Sequence, residues 1–221
     1  MLKTWIEQIK NQPDRYGTVY WKYHLSSNIL ELSVKKEFVE QESEYRNAVI
    51  SIGKVLQALR QKLTGEGLQH HIQSFPNLDD SALIAAIRIF NSAKSKPKKS
   101  VNTQKGDEPA FMLEALENCA AANQLNLHHI HPTELPDVVI PSPDKKFSWF
   151  ALCADHDNPF TWLRVGYWKE YLQNLEDKNK TGLIIVSDSV ICNNRLILNG
   201  SVNNKYVQLL IGIPEHSIAD N

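Results

Sequence analysis

The chain is poor in cysteine, almost uncharged overall, and free of long apolar runs. Only three cysteines occur in 221 residues, Cys119, Cys153 and Cys192, and no two form a CxxC pair. An odd, scattered set of thiols excludes a disulfide framework and points to buried thiols in a cytoplasmic protein. Lys and Arg number 24 against 25 Asp and Glu, a formal net charge of −1. The positive excess of a dedicated nucleic-acid binder is therefore missing. No apolar run approaches the roughly 20 residues that cross a bilayer as a helix, so no membrane partner is expected. Met1–Glu7 lacks the apolar core of a signal peptide. No GxSxG, P-loop, GxGxxG or HExxH pattern is present, which leaves hydrolase, NTPase, Rossmann and zincin readings without support.

What is present is an internal echo. Tyr45–Leu68 reads as an amphipathic helix containing Gly53 and closed by Gly67-Leu68. Trp162–Leu183 reads the same way, with Gly166 inside and Gly182-Leu183 at its end. A strand-like run with a Trp precedes each: Tyr20-Trp21-Lys22-Tyr23 and Ser148-Trp149-Phe150-Ala151. Such self-similarity predicts one supersecondary unit used twice, and two related halves can frame a cleft.

The rest of the chain fits that plan. Leu2, Trp5, Ile6 and Ile9 predict a first helix, broken at Pro13 and Gly17. Val19–Leu25 and Ile29–Val34 predict a hairpin around Ser26-Ser27-Asn28. Tyr45, Ala48, Val49, Ile52, Leu56, Leu59 and Leu63 fall on one helical stripe. Leu68–Phe75 and Leu83–Phe90 read as strands around a Pro76–Asp80 turn. The stretch 92–107 is a Lys-rich linker, which divides one domain into halves of about 1–91 and 108–221. Beyond it come a helix starting near Pro109, a strand over Asn126–His131, and an irregular proline-rich stretch over 132–146. A strand over Trp149–Cys153 follows, then a helix that Asn158 caps and Pro159 opens. That helix carries the stripe Val165, Trp168, Leu172 and Leu175. Leu183–Val186, Leu196–Leu198 and Tyr206–Ile213 read as final strands. The predicted class is α+β, a largely antiparallel sheet flanked by helices.

Several short matches carry a family resemblance. Arg46–Gly53 with Leu56, Leu59-Arg60, Gly67 and Pro76 resembles the first half of nitroreductase-superfamily proteins of the Acg type, the dormancy-associated, fused-dimer group. Asp157, Trp162-Leu163-Arg164, Gly166, Gly182-Leu183 and the strand Tyr206–Gly212 with Gln208 resemble that group's second half. The resemblance implies an α+β nitroreductase fold with FMN between related halves. It implies electron transfer from NAD(P)H to a small nitro or quinone-like acceptor, by a monomer or a homodimer. Trp21, Lys96, Lys98, Lys99, Gly166 and Arg195 are the cofactor-binding positions it implies; no catalytic side chain follows from it. The chain departs from the family at Gly17 and Val19, where amide side chains stand, and at Ile211, where an Arg stands. Those departures motivate an alternative, a flavin-free or flavin-sequestering binding module on the same scaffold.

Each position also has a structural reading. Gly53 and Gly166 suit close helix packing. Lys94, Lys96, Lys98 and Lys99 suit a solvated linker, and Arg195 a surface ion pair. On a strand, His129 and His131 would face one side, and with Asp155, His156 or Asp157 could offer metal ligands, but no third ligand stands at a diagnostic spacing. Asp155-His156-Asp157 could form an acid–base pair, but reads better with His156 in a loop and Asp157 or Asn158 beginning a helix. Cys153 reads as a small buried apolar group.

Overall fold

The computed structural model describes residues 1–90, 109–135, 146–186, 202 and 205–215. No helix among them is long and apolar enough to cross a membrane. The chain divides into two compact units, Met1–Gln104 and Lys105–Asn221. The architecture is α+β, but the described strands form two four-stranded antiparallel sheets, one in each unit, rather than one sheet.

The first unit runs α1 (Leu2–Lys10), α2 (Pro13–Tyr16), β1 (Trp21–Ser26), β2 (Ile29–Val34), α3 (Lys36–Val39), α4 (Glu42–Gly65), β3 (His70–Ser74) and β4 (Leu83–Ile89). Its sheet order is β1-β2-β4-β3. The β1–β2 hairpin turns where expected, with Ser27 taking a left-handed φ of 53°. Burial alternates along β2, with Leu30, Leu32 and Val34 inward. That is the pattern of an antiparallel sheet with one covered face. The expected break at Pro13 is a single helical turn instead. Pro13 opens it, and Gly17 ends it in the left-handed conformation, φ 53°. Missing β-carbon strain explains the glycine there.

Helix α4 differs from a one-sided stripe. Every residue from Ala48 to Gly53 is buried, including Ile50 and Ser51 off the predicted face. A helix that is apolar all round in this way is a core helix rather than a surface one. Fully burying one Ile of this kind stabilises by about 1.5–3 kcal/mol. Gly67, φ 69°, follows the helix and lets the chain turn back into β3.

The second unit runs α5 (Pro109–Ala122), β5 (Asn126–Ile130), β6 (Phe147–Ala154), α6 (Pro159–Asn179), β7 (Ile184–Ile185) and β8 (Tyr206–Pro214). Its sheet order is β5-β6-β8-β7. Asn158 caps α6 as predicted, its Oδ1 accepting from the Thr161 N–H at 3.0 Å. Trp168 is wholly buried and donates its indole N–H to the Leu116 carbonyl of α5 at 3.3 Å. At the far end of α6, the Glu176 carboxylate accepts from the Gly182 N–H at 3.1 Å. The predicted strand Leu196–Leu198 and the linker 92–107 lie outside the described residues.

The two sheets share an unusual detail. In the first, Leu32 pairs with Ala85 and Ser33 with Leu83, which leaves Ile84 as an extra residue on β4. In the second, Leu152 pairs with Leu209 and Cys153 with Val207, which leaves Gln208 extra on β8. Both are β-bulges, where one extra residue kinks the strand and re-aims its side chain. The tryptophan echo does not share this correspondence. Trp21 lies on the edge strand β1, whereas Trp149 lies on the inner strand β6, over Gly212. The sheets also differ in their second face. In β6 all residues from Trp149 to Ala154 are buried, and in β8 all from Val207 to Pro214. Near-continuous burial means that both faces of this sheet are covered.

Candidate functional site

A polar grouping lies in the second unit, where β6 hands over to α6. The Asp157 carboxylate accepts from the Trp162 indole N–H at 2.5 Å and from the Gln208 amide at 3.1 Å. Gln208 is wholly buried, and it reaches Asp157 because it is the extra residue of the β8 bulge. A charged acceptor suits a buried amide, which would otherwise lose its water without replacement. Nearby, Asp155 forms an ion pair with Lys205 at 3.6 Å, and both are partly exposed. The neighbourhood also holds Cys153 and His128, because the Lys205 ammonium acts on both.

The two described thiols are poorly suited to nucleophilic work. Burial pushes the Cys153 thiol up to about 12, only partly offset by Lys205. Burial likewise pushes Cys119 up to about 11, against a hydrogen bond from Asn123. A thiol must ionise to attack, so both are inert at neutral pH. Burial first, then Lys205, holds the His128 imidazole below its ordinary value. No group of three or more His, Cys, Asp or Glu able to hold a metal occurs among the described residues. His129 and His131 do not share a strand face: β5 ends at Ile130. His129 packs edge-on against Phe150, centroids 5.3 Å apart, while His131 caps a short 3-10 turn over Pro132–Glu134.

Of the six expected cofactor positions, Lys96, Lys98, Lys99 and Arg195 lie outside the described residues. Trp21 belongs to the first unit and is 1% exposed. Its indole N–H donates to the Tyr16 carbonyl at 2.8 Å, so its side chain has no donor to offer a flavin. Gly166 belongs to the second unit and is buried inside α6. These two residues do not fit an FMN site: neither presents an open surface or a spare hydrogen-bonding group to the ring.

The residues that converge were visible in the sequence only singly. Asp157, Trp162 and Gln208 each belonged to the family resemblance, but nothing in their spacing joined them. The bulge that joins them is a property of strand register. Lys205 carried no sequence signal, and His128 stood out only as one of three neighbouring histidines. No known protein family matches the chain, and no curated protein matches it.

Proposed function

We propose that this protein is a flavin-free binding module, built from one helix–strand–strand–helix–strand–strand unit used twice. The carrying observation is that the two described cofactor positions are closed off, Trp21 at 1% exposure and Gly166 inside α6. Trp21 donates its indole N–H to the Tyr16 carbonyl. Repetition of the unit is supported by the common element order, the common strand order and the bulge at the same register position. The surface such a module offers is the open face of the first sheet. Lys22, His24, His71 and Arg88 are exposed there, with Glu31 half-buried among them. One polar face over one packed face is the arrangement of an antiparallel sheet that meets solvent or a partner.

A second reading is an FMN-dependent oxidoreductase of the nitroreductase type, with NAD(P)H as donor. The clustering of Asp157, Trp162 and Gln208 favours it, because three residues that carried the family resemblance meet at one point. Thermal unfolding of the full chain with and without excess FMN separates the two. A ligand at about 100 times its Kd stabilises a protein by about 2.7 kcal/mol, which moves a domain of this size by several degrees. The binding-module reading predicts an unchanged melting temperature. A rise that saturates with FMN sinks it in favour of the oxidoreductase.

A further inference from the structure

Among the described residues, strand β5 is the edge of the second sheet, hydrogen-bonded to β6 on one side only. It carries His128 at the register position that His24 holds on β1. Tyr23 faces Leu32 and Leu127 faces Leu152, the residues before the two bulges, and each histidine is the next residue along. His24 is exposed on the polar outer face. His128 instead has its Nε2 atom buried, with no hydrogen-bond partner among the described residues.

We propose that β5 is a pH-sensitive edge strand, docked while His128 is neutral and released when His128 takes up a proton. A neutral imidazole leaves one unsatisfied atom in the sheet. A protonated one places a charged donor there with no acceptor, close to another cation. The surrounding charges among the described residues do not compensate. Lys205, leading into β8, repels the proton, and its own partner Asp155 is 72% exposed, 3.6 Å away. Cys153 on β6 is a neutral thiol, its pKa about 12. On α5, which also packs on β5, Glu114 and Glu117 are exposed and Cys119 is a neutral, half-buried thiol. His129 and His131, beside His128 in sequence, are exposed.

The sign follows from linkage. His128 binds its proton less readily in the docked strand than in the open chain. Docking is therefore strongest above about pH 6.5, the open-chain value, and weakens as pH falls below it. One linked proton changes the opening equilibrium by at most about tenfold per pH unit.

Hydrogen exchange of the full-length protein, corrected for the intrinsic pH dependence of exchange, reads this directly. Between pH 7.5 and 5.5, protection of the Asn126–Ile130 amides is expected to fall by up to about tenfold per unit below 6.5, relative to the Trp21–Ser26 amides. His128→Phe, which keeps the volume and removes the titrating atom, is expected to abolish the extra fall. Equal pH dependence in wild type and His128→Phe overturns the proposal, as does wild-type β5 protection that tracks β1. Should His128→Phe fail to fold, the ring protons of His128 in the wild type decide by NMR titration. A midpoint below 6.5 supports the proposal, and one at or above 6.5 overturns it.

Discussion

Replacing Gly17 by alanine is expected to lower the unfolding free energy by about 2–4 kcal/mol. Two costs combine. The glycine sits at φ 53°, where an L side chain is strained by about 1–2 kcal/mol. A β-carbon built there would also overlap the Ser51 Oγ of α4, and it would lie 3.3 Å from the Tyr20 ring. Ser51 is buried on the core helix, and its own Cβ would lie 3.2 Å from the new β-carbon, so turning the hydroxyl away relieves only part of the clash. The damage would spread locally, because Tyr16, immediately before Gly17, accepts the Trp21 indole hydrogen bond. Urea denaturation of Gly17→Ala and of Gly17→Ala/Ser51→Ala measures both parts. The double variant should recover the overlap and keep the conformational cost. A loss under about 0.5 kcal/mol for the single variant, the range of an ordinary surface change, would contradict this account of α2 against α4.

Asp157→Ala is expected to cost about 2–4 kcal/mol, and Asp157→Asn much less. The carboxylate accepts from both the Trp162 indole and the buried Gln208 amide. Hydrogen bonds to a charged group contribute about 1.5–3 kcal/mol each, and truncation strips one partner from both donors at once. Asparagine keeps a side-chain oxygen able to accept from them. The comparison separates hydrogen bonding from charge. Equal losses for the two variants would mean that charge, rather than the acceptor, holds the β6–α6 corner. A small loss for alanine would mean that the Gln208 bulge stands without Asp157.

These two sites mark how far the sequence could be read. Helical periodicity located α1, α4, α5 and α6, because a 3.6-residue repeat of apolar positions is a local signal. Asn158 and Pro159 announced the start of α6 for the same reason: a cap is local chemistry. The Ser26–Asn28 turn and the Pro76–Asp80 turn were equally legible. The division into two sheets was not. It depends on β2 pairing with β4 and β6 with β8, partners at least 50 residues apart in each case. Hydrophobic alternation assigns a strand but says little about its neighbour. The single turn of α2 was hidden because Pro13 and Gly17 read only as breakers. The all-round burial of α4 was hidden because Ile50 and Ser51 lie off the main stripe.

The same limit governed the site. Trp21 read as a cofactor position by resemblance, but its burial and its bond to Tyr16 are tertiary facts. Asp157 and Gln208 stand 51 residues apart and meet only because β8 carries one extra residue. The resemblance supplied residues that do assemble, though into a hydrogen-bonded corner whose side chains are engaged with one another.

The absorption spectrum of the purified full-length chain, recorded as isolated and again after incubation with FMN and removal of unbound flavin, tests the central claim most directly. A flavin-free binding module predicts only the ultraviolet band of its five tryptophans and seven tyrosines in both spectra. Flavin bands that remain with the protein after removal of free FMN would contradict it.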